Sequence, residues 1–353
     1  MKILFKPQTE WLPPEEFKDL SSYDEIAIDL ETKDPNLKTM GSGSVTGQAK
    51  IVGIALAVEG WSAYYPIAHE GGGNMDRKKV MDYFRTILNY PSKKIFHNAM
   101  YDVCFIRAEG LKINGTIIDT MISGSLVDEN RFRYDLGSMG RDYVGRGKNE
   151  AVLLETAKEW GIDPKSEMYK LPAMYVGEYA EQDAKLTLEL WQEMKKEIVH
   201  QDIESIFDLE TSLFPCLVDM RFLGVRVDIE AAHQLKQKLV QEENQCLQQV
   251  KKATGIDTQI WAARSIAQVF EKLSLPFDRT EKTQAPSFTK NFLQNHPHPM
   301  VQKIARAREI NKAHTTFIDT ILKHSHKGRI HAEINQLRSD VGGTVTGRFS
   351  YNN

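Results

Sequence analysis

Three short patterns in the 353-residue chain place acidic side chains where they could act together. Asp29 and Glu31 stand two apart in "DEIAIDLET" (24–32), whose apolar positions alternate as in a strand. That period puts both carboxylates on one face, about 7 Å apart along the backbone. In "HNAMYD" (97–102) Asn98 stands four before Asp102, and in "YAEQD" (179–183) Tyr179 stands four before Asp183, so on a helix each pair shares a face. Alone, each pattern is ordinary: a solubility pair at a strand edge, a cap or surface pair, a half-buried helix face. Their conjunction, in this order within one segment, is more specific. Carboxylates converging on one point repel one another unless cations stand among them. Hard oxygen donors suit Mg²⁺ or Mn²⁺ rather than zinc. Two such ions about 4 Å apart can clamp the attacking and leaving oxygens of a phosphodiester. This chemistry needs no Ser, Cys or His nucleophile, and no convincing triad is present.

The elements that must position these residues follow from pattern. "IVGIALAVEGWSAYYPIA" holds two apolar runs about Glu59-Gly60 and reads as a hairpin. "RKKVMDYFRTIL" has helical spacing at Val80, Tyr83, Phe84 and Leu88, and "KKIFHNAMYDVCFIRAEG" is a strand turning into a helix that Gly110 ends. Residues 117–198 read as mostly helical, closing with the long "VGEYAEQDAKLTLELWQEMKKEI". Mixed strands followed by helices argue an α/β class. Asp119 is placed to cap the helix that follows it. Past residue 200 the pattern is a helix, a Gly-Val turn and a long helix whose apolar stripe (Leu235, Leu239, Cys246, Val250) is narrow enough to require an antiparallel partner. Residues 301–323, with Ile310, Ala313, Phe317 and Ile321, supply one, and Ser287 is expected to cap the short helix after the polar tip.

Composition sets the outer bounds. With 41% hydrophobic and 26% charged residues the chain has an ordinary globular profile, and no apolar run approaches a membrane span. The N-terminal stretch "MKILFKPQTEWLPPEEF" is too weakly apolar for a secretory signal, so a cytoplasmic location is expected. Cys104, Cys216 and Cys246 are widely separated and read as reduced thiols rather than a zinc site or disulfide framework. The net charge is −3, yet residues 301–353 are net basic, with Lys303, Arg306 and Arg308 among the cations. A basic end on a near-neutral chain suits either a phosphate-tracking surface or plain solvated surface.

"DLET", "HNAMYD" and "YAEQD" resemble the three exonuclease motifs of the DEDD superfamily, with Tyr179 marking its tyrosine branch. Residues 1–200 thus resemble the 3′→5′ proofreading exonuclease domain of family A DNA polymerases, a ribonuclease H-like α/β fold with a mixed sheet. Residues 201–328 resemble the mainly helical thumb, with long antiparallel helices, and 329–353 ("GRIHAEINQLRSDVGGTVTGRFSYNN") the start of the palm. In style the chain resembles phage polymerases. The resemblance implies that Asp29, Glu31 and Asp183 hold one divalent ion beside the attacking water. It implies that Asp29, with Asp102 acting directly or through water, holds the second at the leaving 3′ oxygen, and that Tyr179 orients the water. Asn98 and His97 would face the terminal nucleotide, and Arg348 of the TGR turn would reach the minor groove of a duplex. The implied partner is DNA: a single-stranded 3′ end at the carboxylates and a duplex at the thumb.

The family's catalytic palm carboxylates and fingers follow the TGR turn, so this chain by itself is expected to degrade DNA and not to polymerise it. A second reading is a non-autonomous subunit of a split polymerase, gripping DNA and assembling with a separate palm and fingers chain. A third is a free-standing exoribonuclease of the ribonuclease D type, since the motifs alone do not separate DNA from RNA.

Overall fold

The computed structural model describes residues 9–340 and 342–352. The outermost residues of the expected first and last domains, 1–8 and Asn353, together with Val341, lie outside this description. The chain forms two compact units, one of residues 1–224 with 331–353 and one of residues 225–330. The helix Glu204–Leu223, expected to open the second region, sits in the first unit, where its Phe207, Phe214 and Val218 join the apolar cores.

The first unit is built on a five-stranded sheet of β1 (Glu25–Lys33), β2 (Lys50–Val58), β3 (Trp61–Pro66), β4 (Lys93–Phe96) and β5 (Ile117–Asp119), in the order β3-β2-β1-β4-β5. β1, β2 and β3 pair antiparallel, while β4 and β5 run parallel to β1. The hairpin turns at Glu59-Gly60, with Gly60 at φ 75°, as its residues require. Period two divides the central strands into unlike faces. Ile26, Ile28, Leu30, Ile54, Leu56 and Val58 pack with α1 (Arg77–Asn89) and α2 (Ala99–Ala108). Ala27, Ala55 and Ala57 point the other way, into a core shared with the long helix that carries Tyr179. Small residues on that face let this helix lie close to the sheet, which brings a helix-borne carboxylate within reach of strand-borne ones.

Asp119 ends β5 and caps α3 (Thr120–Val127) by accepting from Met121 N at 2.9 Å. The same carboxylate also accepts from Asn98 N at 3.0 Å and Ala99 N at 2.8 Å, so one side chain satisfies the amino ends of α2 and α3 together. β5 itself was hidden within a stretch that reads as helical, because three residues give too short a pattern to register. The chain then passes through α4 (Ala151–Trp160) to α5 (Gly177–His200), which carries the third motif, and to α6 (Glu204–Leu223).

Opposite Glu31, β2 has Gly53, where an added Cβ would lie 2.0 Å from the Tyr64 hydroxyl. The glycine makes room for Tyr64, whose O–H donates to His69 Nε2 at 2.7 Å while His69 Nδ1–H donates to the Leu171 carbonyl at 3.0 Å. Burial lowers the His69 pKa from 6.5 to about 4.

In the second unit, α7 (Ile229–Thr254) is capped by Asp228 and ended by Gly255 at φ 77°. It packs along α8 (Pro299–Lys312), which continues through a wide turn, Ala313–Ile318, into Asp319–Lys323. Only Cys246 and Val250 of the expected α7 stripe are buried, and Leu235 is largely exposed. Polar contacts complete the pairing: Glu243 accepts from Asn311 at 3.0 Å and meets His314 at 2.6 Å. Ser287 does not cap the short helix Lys290–Asn295, because it is paired in a two-residue ribbon with Asp278. Thr289, two residues nearer the helix, accepts from Phe292 N instead.

Two stability outcomes follow. Neutral His69 in the fold and a His of pKa 6.5 in the unfolded chain mean that the unfolded state binds the extra proton between about pH 6.5 and 4. Its contribution is present above pH 6.5 and lost as the pH falls through that window, by about 2 kcal/mol between pH 7 and 5. Urea titrations should show that this part of the slope disappears in His69→Gln. Asp119→Ala leaves three amides without their acceptor and is expected to lower the unfolding free energy by about 2–3 kcal/mol, with Asp119→Asn losing less.

Candidate active site

The four motif carboxylates converge at the carboxyl end of the central strand. β1 pairs with β4 only over Glu25–Ala27, because β4 stops at Phe96 and gives way to α2. Beyond that point the β4 side of β1 is open. Leu30 N, with no strand to bond there, donates to Asp102 Oδ1 at 3.2 Å. This bond pins the α2 carboxylate beside Asp29 and Glu31, which share the face of β1 turned toward α5. From α5, Asp183 and Tyr179 reach the same point.

Their charges act on one another. Glu31, Asp102 and Asp183 are buried and Asp29 is half-buried. Burial, and next the charge of Asp183, pushes the Asp29 carboxyl up, while the Lys148 ammonium pulls it down. Glu31 is raised well above its usual range by burial, Asp29 and Asp183. Asp102 is raised by burial and by Asp29, against the opposing Leu30 amide. Asp183 is raised by burial and relieved by Lys148. Tyr179 is held firmly protonated by burial and by the charges of Asp183, Glu31 and Asp29.

The cation is a residue that the sequence patterns did not single out. Lys148 Nζ donates to Asp183 Oδ2 and to the Tyr179 hydroxyl, the latter at 3.1 Å. It belongs to no spaced motif, only to the Gly-rich run "GRGKNE", which is why one-dimensional reading passed over it. Among the described residues no three His, Cys, Asp or Glu side chains stand ready-spaced around an ion. The donor set nonetheless fits divalent ions: hard carboxylate oxygens in mutual repulsion, with Asp183 Oδ1 buried and without a hydrogen-bond partner.

The remaining expected contacts lie around or away from this cluster. Asn98 does not share a helix face with Asp102. It is the residue before α2, in left-handed conformation (φ 66°, ψ 53°), exposed, and its side chain caps nothing. The strand-to-helix corner demands that conformation, which Asn adopts more readily than most residues. His97 turns its Nδ1 to Thr120 Oγ1 at 2.8 Å and buries Nε2 without a partner. Burial lowers its pKa to about 3, with Lys148 adding to the effect, so it stands beside the cluster as a neutral ring. Arg348 is exposed on a separate turn in which its backbone N donates to Thr344 Oγ1 at 3.0 Å.

Comparison with known proteins bears on the family of the chain. Residues 6–199 match the family model for 3′-5′ exonuclease and residues 229–353 that for DNA polymerase family A. A DNA-directed DNA polymerase of Pseudomonas phage M6 is 33% identical over 97% of this chain and 54% of its own length. DNA polymerase DpoZ of Salmonella phage PMBT28 is 28% identical over 95% and 55%, and DNA polymerase I of Chloroflexus aurantiacus 24% over 86% and 32%. The chain thus spans about half the length, or less, of these relatives. Among solved structures, the polymerase domain of Pol1 from M. smegmatis, in complex with DNA primer-template and dNTP, matches with a TM-score of 0.67 at 18% identity. That match covers 94% of this chain and 52% of the other and bears on the fold alone. A strand-borne Asp-x-Glu, a helix-borne Asp and a helical Tyr-x-x-x-Asp meeting at one end of a mixed sheet, inside a matched exonuclease segment, lead to one conclusion: the chain belongs to the family A DNA polymerases and carries their 3′-5′ exonuclease domain.

Proposed function

We propose that the chain removes nucleotides from DNA 3′ ends, with Asp29, Glu31, Asp102 and Asp183 holding two divalent ions, Mg²⁺ or Mn²⁺, and Tyr179 orienting the attacking water. The observation that carries this reading is the crowding of the four carboxylates around one point with a buried oxygen of Asp183 left unpartnered. Bound there, the ions would supply Lewis acidity, favouring deprotonation of the water and stabilising charge on the leaving oxygen. The side chains do the rest. Asp29, midway along β1, would help hold both ions, Glu31 and Asp183 would hold the one that serves the water, and Asp102 the one that serves the leaving group. Tyr179 is too weak an acid to act as a base at neutral pH and instead holds the water by hydrogen bonding. Water oxygen bonds to phosphorus as the P–O3′ bond breaks, releasing a nucleoside 5′-monophosphate.

DNA is preferred to RNA as substrate because the similar proteins are named DNA polymerases. Asn98, exposed at the head of α2, is suited to the terminal nucleotide, with neutral His97 as a hydrogen-bonding neighbour. Arg348 would contact the minor groove of a bound duplex. Among the described residues no helix is long and apolar enough to cross a membrane. A relative from a phage supports a reading in which the chain works inside the host cell, in its cytoplasm.

Digestion of a 5′-labelled single-stranded DNA should depend on added Mg²⁺ or Mn²⁺ and stop in EDTA. Asp29→Ala and Asp183→Ala should each reduce kcat by about 10³-fold or more, since each removes an ion ligand. Hydrolysis persisting in chelator, or in both variants, would sink the assignment. A matched RNA strand should be cut far more slowly, and equal rates would favour the exoribonuclease reading.

A further inference from the structure

One charged group among the carboxylates has no part in that reaction. Lys148 lies on the segment 145–150, after Gly145 turns the chain at φ 83°. Its stem runs along Gly137, where an added Cβ would sit 3.5 Å from Lys148 Cγ. Guided by this packing, the half-buried side chain delivers its ammonium to Asp183 Oδ2 and to the Tyr179 hydroxyl, 5.1 Å from the Tyr179 ring centroid. Its charge also bears on Asp29 and Glu31. Lys148 therefore engages the helical carboxylate and the tyrosine that the proposed reaction needs on its water side.

Two constraints act on this arrangement. Without an ion, four crowded carboxylates need a positive charge nearby, and Lys148 supplies it. With a divalent ion on Asp183, the ammonium becomes a like charge at close range, and repulsion opposes both staying there. We propose that Lys148 is the resident counter-ion of the site and competes with the divalent ion for Asp183, so that loading the site frees Asp183 and the Tyr179 hydroxyl from the lysine. The lysine holds the metal-free site together, holds ion affinity below what the carboxylates alone would give, and keeps Tyr179 engaged until an ion arrives. This rests on the reading that the carboxylates take divalent ions.

The test is Mn²⁺ binding to the full chain by calorimetry, for the wild type, Lys148→Met and Lys148→Arg, with circular dichroism to verify folding. Lys148→Met keeps an apolar stem without the charge and should lower the Kd for Mn²⁺ by about tenfold or more, the scale expected when a unit charge ceases to oppose a divalent ion at short range. Lys148→Arg keeps the charge and should stay within about twofold of wild type. A Met variant with unchanged or weaker binding overturns the proposal, as does an Arg variant that tightens as much as Met. Should the Met variant not fold, Lys148→Gln carries the same comparison. Mn²⁺ binding without DNA hydrolysis would sink the nuclease reading alone, and the affinity ratio would still decide the role of Lys148. Absence of binding in every chain overturns both.

Discussion

Mutual repulsion among four carboxylates gathered at one point governs the first unit. Each of Asp29, Glu31, Asp102 and Asp183 has its protonation pushed up by burial, and each of the first three also by another member of the set. Left alone, such a group would neutralise or move apart. It persists because each member is mounted on an element that cannot easily retreat: the central strand, a helix starting where the neighbouring strand ends, and a long helix packed on the sheet.

The scaffold meets this demand by economical means. β1 outlasts β4, and the amide exposed by that mismatch becomes the anchor of Asp102. Asp119, outside the cluster, ties the heads of two helices to one strand end and so sets where α2 begins. Alanines on one face of the sheet set how close α5 comes. Glycine opposite Glu31 leaves room for the Tyr64 hydroxyl and its bond to His69. The Leu30 amide, Asp119 and the alanines thus set where the carboxylate-bearing elements lie.

The cation belongs to the same balance. A lone lysine meeting Asp183 and Tyr179 is consistent with a site poised to exchange one positive charge for another rather than a cage preset around an ion. Its loop position suits such an exchange, because a flexible four-carbon stem on irregular backbone can move while the strand- and helix-borne carboxylates stay.

Much of this was legible in one dimension. The Asp-x-Glu strand, the hairpin at Glu59-Gly60, the helical Tyr-x-x-x-Asp and the cap at Asp119 are local patterns, each set by period or by a single hydrogen bond. What one dimension misplaced depended on partners far along the chain. Asn98 shares a spacing with Asp102 but not a helix, because the strand-to-helix corner falls between them. Thr289 takes the cap assigned to Ser287 because a ribbon partner, Asp278, claims the serine. Lys148 carries no spacing signal at all. Residue type and period by themselves determined which carboxylates and which tyrosine could do the chemistry and on which strand or helix those would ride, since that follows from backbone geometry over a few residues. Only the tertiary structure decided that the three motifs share one charged point and that a lysine balances it, because electrostatic neighbours are set by packing between segments far apart in the chain.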